Sequence, residues 1–184
     1  MPKIVLAEAE LAKRGRTIQK LLRQISRLPS GPAFRTTAAT TSEVVLAAFE
    51  GDTPPTLSYR DWRFRTNVEG VRAQYFERWT REKKSDLFLF QAYLHFYRLI
   101  GDDEKEVLLL HCDPSEHDSA AHAKYKQGPH LHLSFAGAAY KHAHVALASG
   151  FLPEVLRSLS TLTDAQERAI EMINGQLLPY LSAA

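Results

Sequence analysis

Apolar residues recur along this chain in two rhythms, one helical and one of period two. From 5 to 28, Leu11, Ile18 and Ile25 repeat every seven residues, with Leu21, Leu22 and Leu28 between them. This narrow stripe predicts a helix, and Pro29, Ser30, Gly31 and Pro32 end it sharply. Residues 33–50 admit a strand or a short helix, and 51–55 are a turn by composition. Residues 57–65 alternate, with Trp62 and Phe64 on one face of a predicted strand and Tyr59 on the other. Asn67 is placed to cap a helix over 68–82, which would line up Val68, Val71, Tyr75, Phe76 and Trp79.

A long central strand is predicted over 86–100. Phe88, Phe90, Leu94 and Phe96 share one face; Leu87, Leu89, Tyr93, His95 and Tyr97 share the other. A turn at 101–104 returns the chain into a second apolar strand ending at Cys112. Residues 114–129 are polar and read as a loop or short helix. The cleanest alternation follows: Leu131, Leu133 and Phe135 point one way, His130, His132 and Ser134 the other. Residues 142–148 alternate too, with a helix over 138–149 as the alternative. Pro153 opens a short helix, and Thr163 is expected to cap another with Gln166 as its capping-box partner. The predicted class is α+β: an antiparallel sheet on 57–65, 86–100, 105–112 and 130–135, with a basic N-terminal helix and C-terminal helices packed on one face.

The 184 residues, 45% hydrophobic and 24% charged, fit a single domain over 31–184 with residues 1–30 as a basic helical arm. The lone Cys112 excludes an internal disulfide and fits a reducing cytoplasm. No secretory signal and no long apolar run is visible, so the expected protein is cytoplasmic and makes no membrane span. Net charge is only +2, yet eight Lys and Arg residues before residue 36 face only Glu8 and Glu10. Such an arm suits phosphates or an acidic partner, or is simply a solvated helix face. The stripe of Leu11, Ile18 and Ile25 is the candidate surface for docking a partner protein. Arg60, Arg63 and Arg65 interleave with aromatics, a pattern that can stack bases and hold phosphates, and equally that of a half-exposed strand.

All eight histidines lie between His95 and His144, and four form the pairs His130-Leu-His132 and His142-Ala-His144. On a strand, alternate residues share a face about 6.6 Å apart, so neighbouring antiparallel strands would bring four imidazoles together. For His95 and His111 the hairpin register decides: a sum of 206 sets them opposite each other, a sum of 205 on opposite faces. Three chemistries follow. A metal such as zinc could be held by His130, His132 and His144, with His111 or Asp113 as further donors. Without a metal, His130, His132, His111 and Asp113 could carry protons at a phosphodiester while Lys124 or Lys126 binds its charge. Alternatively the histidines are structural, in an interaction or regulatory protein that is no enzyme. Cys112, in an apolar strand, is a poor nucleophile. No phosphate-binding Gly-rich loop, GxSxG elbow or acidic metal cluster is present, which argues against triphosphatases, α/β-hydrolases and acidic two-metal nucleases.

The hairpin between Phe88 and Leu110, then Asp113, a polar loop and the run Gly128-Pro129-His130-Leu-His132, resembles TumE-like toxins of bacterial toxin–antitoxin pairs over about residues 87–135. The resemblance implies an intracellular growth inhibitor acting on RNA, with a cognate antitoxin, and singles out Asp113, His130 and His132. The expected activity is thus a histidine-based phosphodiesterase acting on RNA or a nucleotide, toxin-like or defence-associated.

Overall fold

The computed structural model describes residues 4–51, 58–82, 86–115, 125–134, 142–147 and 152–182. The chain opens with β1 (Val5–Ala7), a short 3-10 turn and helix α1 (Leu11–Leu22). Strands β2 (Ala33–Ala38), β3 (Glu43–Phe49), β4 (Phe64–Arg65), β5 (Val71–Arg81), β6 (Asp86–Ile100), β7 (Asp103–Cys112), β8 (His130–Ser134) and β9 (His142–Ala146) follow. Helices α2 (Leu152–Val155) and α3 (Leu159–Met172) lead into a terminal π turn and 3-10 turn. All strand pairings are antiparallel, in the order β2-β3-β5-β6-β7-β8-β9. The fold is α+β, with an N-terminal helix and a C-terminal helix on one face of this sheet.

That face carries the main core. Leu94 and Phe96 of β6, Leu108 and Leu110 of β7 and Leu131 of β8 pack against Ile18 and Leu22 of α1 and Ala169 and Ile170 of α3. Here the expected basic arm is corrected. Helix α1 ends at Leu22, and Leu11, Ile18 and Ile25 are 3%, 1% and 0% exposed. Their stripe is consumed by the core, so it offers no surface to a partner protein.

Several expected elements are revised. Residues 71–81 form a strand, not a helix, because their β-branched and aromatic residues fit a half-buried pleat between β3 and β6. Residues 33–49 form a strand hairpin. The expected strand over 57–65 is a 3-10 turn followed by two strand residues, and it splits its aromatics: Trp62 packs on Phe49, while Phe64 enters the main core. A bulge opposite Arg78 and Trp79 leaves Phe90 as an extra residue on β6. It moves Leu87 and Leu89 to the helix-covered face with Ala92, Leu94 and Phe96. Helix α3 is capped by Ser158 with Thr161, not by Thr163; the Thr163 hydroxyl instead donates to the Leu159 carbonyl. No helix among the described residues is long and apolar enough to cross a membrane.

Candidate metal centre

The open face of the sheet carries a ladder of imidazoles across four consecutive strands. The β6–β7 register sums to 204, so Tyr93 faces His111 and His95 faces Leu109. His95 and His111 therefore share a face diagonally, in a register that is neither of the two considered from sequence. β7 and β8 then pair His111 with His130, and β8 and β9 pair His132 with His144. Alternation sends Leu110 and Leu131 into the core and turns these five histidines the other way. The second His-x-His pair contributes only His144 to this account, since the side chain of His142 is not among those described.

The rings are in mutual contact. Nε2 of His95 is 2.8 Å from Nε2 of His111, and Nε2 of His130 is 3.0 Å from Nε2 of His132. One nitrogen from each of His111, His130 and His132 lies within 4.8 Å of the other two. His144 stacks beyond them, its ring 4.0 Å from that of His132, and is exposed. Two rings have their tautomer set from behind. His130 Nδ1–H donates to the Gly128 carbonyl at 3.0 Å, and His95 Nδ1–H donates to Glu106 at 3.0 Å. Both therefore turn an Nε2 lone pair into the cluster, the arrangement in which outer partners orient metal-binding histidines. Zinc at about 2.0–2.1 Å in tetrahedral geometry spaces its nitrogens about 3.3 Å apart, a spacing the cluster brackets.

Burial keeps His111, His130 and His132 neutral. Desolvation, reinforced by the neighbouring rings of His132, His95 and His130, pushes His111 down to about 2. Burial likewise lowers His130 to about 4, and burial with His144 and His130 lowers His132 to about 3. A proton-transfer catalyst works best with its pKa near ambient pH, which these three rings miss; neutral imidazole is the ligand form.

Asp113, 7% exposed, follows β7 directly. Its Oδ2 lies 3.9 Å from His130 Nε2, and its Oδ1 accepts the Tyr93 hydroxyl at 2.7 Å. The Tyr93 ring stacks on His111 with 3.7 Å between centroids. Sequence alternation put Tyr93 beside His95, but only the register shows that it links His111 to Asp113.

The candidate phosphate binders divide. Arg63 sits 4.0 Å over the Tyr97 ring, and Tyr97 donates to Gln74 on the histidine face. Arg65 turns to Glu50, with its Nε donating at 2.6 Å. Arg60 is exposed, and its carbonyl accepts from Gln74 at 2.7 Å. The Lys126 charge contributes to the lowering at His130 and His132. Lys124, with His117 and His122, lies outside the described residues. Cys112 is buried, its thiol pushed up by desolvation and donating to the Gln127 carbonyl, so it packs as a small apolar residue. Against known proteins, no family model, no curated protein and no solved structure matches this chain.

Proposed function

We propose that the protein is a metal-dependent hydrolase of phosphodiesters, RNA or a nucleotide, with a divalent transition metal held by His111, His130 and His132. The observation that carries this reading is the convergence of three imidazole nitrogens within 4.8 Å on one sheet face. Burial favours ligation over metal-free proton transfer, because rings held at about 2, 4 and 3 are unprotonated at neutral pH and offer no general acid. A bound metal would polarise a phosphoryl oxygen or activate water. Arg63 over Tyr97 and Lys126, whose charge is felt at His130 and His132, supply cations for an anionic substrate. The similarity to TumE-like toxins motivates RNA as the first substrate and the cytoplasm as the setting.

The test is elemental analysis of the purified protein beside His130→Ala/His132→Ala, followed by hydrolysis assays on RNA and an activated phosphodiester. One transition-metal ion per chain, lost in the double variant together with hydrolysis, supports the reading. A chain that takes up no zinc, cobalt or nickel refutes the metal centre. Stoichiometric metal without hydrolysis leaves a metal-binding protein and refutes the enzyme.

A further inference from the structure

A chain of hydrogen bonds runs along the open face and ends at the centre. Glu43 on β3 accepts from Arg78 Nη2 at 2.7 Å. Arg78 Nη1 donates to Gln91 Oε1 at 2.8 Å, and Gln91 Nε2 donates to the Tyr93 oxygen at 2.6 Å. The Tyr93 hydroxyl donates to Asp113 Oδ1 at 2.7 Å. From Arg78 onward every donor points the same way, from a guanidinium to a carboxylate. Such a chain polarises each successive bond and keeps the phenolic proton on the side of Asp113. The carboxylate is fixed a second time through its backbone, because the Asp113 N–H donates to the Lys126 carbonyl at 2.9 Å. With Oδ1 held by Tyr93, Oδ2 is the oxygen that faces His130. Its 3.9 Å from His130 Nε2 exceeds the roughly 3.3 Å between tetrahedral zinc ligands by less than an ångström.

From this geometry we infer that Asp113 supplies the carboxylate donor of the metal centre and that Tyr93 is the residue that positions it. The inference rests on the metal reading above and adds a fourth donor, which stands outside the three nitrogens gathered within 4.8 Å and would close on a bound ion from the His130 side. Three imidazoles and one carboxylate form a mixed set that suits zinc, iron or nickel, and they leave positions on a five- or six-coordinate ion for water and substrate. Gln91 and Arg78 act at one and two removes, by orienting the phenol. Tyr93 has a second hold on the centre, its stack against His111, so a phenylalanine there removes the hydroxyl and keeps the ring.

The test uses the full chain with cobalt(II) as the probe, read by chelator competition and by its visible spectrum. Asp113→Asn is expected to weaken cobalt binding at least 100-fold and to change the spectrum, which reports a lost ligand. Tyr93→Phe is expected to weaken it 10- to 100-fold, the usual effect of losing an outer-shell partner, with a spectral change in the same direction. In the Asp113→Asn background, Tyr93→Phe is expected to add less than threefold, because its route runs through the carboxylate. Gln91→Ala, which leaves the phenol in place, is expected to cost less than Tyr93→Phe and carries the test should Tyr93→Phe unfold. Tyr93→Phe and Gln91→Ala chains that bind cobalt as the parent does, with its spectrum, overturn the positioning role. An unchanged Asp113→Asn overturns the ligand assignment. A parent chain that binds no cobalt overturns the metal centre itself, a result distinct from both.

Discussion

The two faces of the sheet each hold a buried polar cluster, and the two are built on opposite terms. On the helix-covered face, Arg14 of α1 meets the fully buried Glu77 of β5 at 2.6 Å, and both Tyr75 and Trp79 donate to the same carboxylate. The remaining Arg14 donors reach Thr163 and Gln166 of α3. One cation, one anion and neutral partners satisfy each other, and the cluster stitches both helices to the sheet. On the other face, His95, His111, His130 and His132 bring nitrogen against nitrogen, with Asp113 at the edge. Four imidazoles and a carboxylate gather here, and the Lys126 charge is felt at two of the rings. The first cluster is closed by its own charges; the second, under the proposed function, would be completed by a metal ion.

The contrast is broken most severely on the closed side. Glu77→Ala leaves Arg14 buried and unpaired and should cost about 3–5 kcal/mol in urea unfolding; Arg14→Met/Glu77→Leu should recover part of it. A loss below about 1 kcal/mol would mean that the network does not act as a unit. On the open side, zinc at a hundredfold excess over its dissociation constant should add about 2.7 kcal/mol to unfolding free energy. The gain should vanish with a chelator and in His130→Ala/His132→Ala; an equal gain in that variant would place the ion elsewhere.

Acid should act more gradually. His111, His130 and His132 titrate below their unfolded value of 6.5, so below about pH 6.5 the unfolded chain binds protons that the folded chain refuses. Their stability contribution is complete above that pH and is lost progressively as pH falls through about 4 toward about 2. The melting temperature of metal-free protein should decline from pH 7 to pH 5, with a shallower decline in His132→Gln; a flat profile contradicts the buried, neutral cluster. The smallest effect belongs to the half-exposed pair of Arg65 and Glu50. Glu50→Gln should change stability by no more than about 1 kcal/mol by thermal melting.

Much of this was legible in the chain. Strict alternation at 130–135 placed His130 and His132 opposite Leu131, and the turn at 101–104 defined the β6–β7 hairpin. What misled was local degeneracy. Val71, Tyr75, Phe76 and Trp79 fit helical spacing as well as they fit a strand buried on both faces, and Glu77 interrupted the apolar alternation because its partner Arg14 is 63 residues away in sequence. The bulge at Phe90 reverses the facing of residues 86–89 of β6, and no composition signal marks it. Nor does composition fix the His95–His111 register, which depends on a second irregularity at Phe96 and Tyr97. The links from Tyr93 to Asp113 and from His111 to His130 needed those registers, so the sequence could name the site's residues before it could assemble them.

The course of the sheet carries a kinetic consequence. Among the described strands, each neighbour along the main path lies close in sequence, so the histidine-bearing strands can zip up hairpin by hairpin. β1 is different: Val5 pairs with Phe88, on a stretch of β6 beyond the reach of β7. Closing a loop of about eighty residues costs more chain entropy than closing a hairpin and slows the contact. The imidazole ladder can therefore take shape while the amino-terminal strand is still free, and docking of β1 is the late event that completes the sheet.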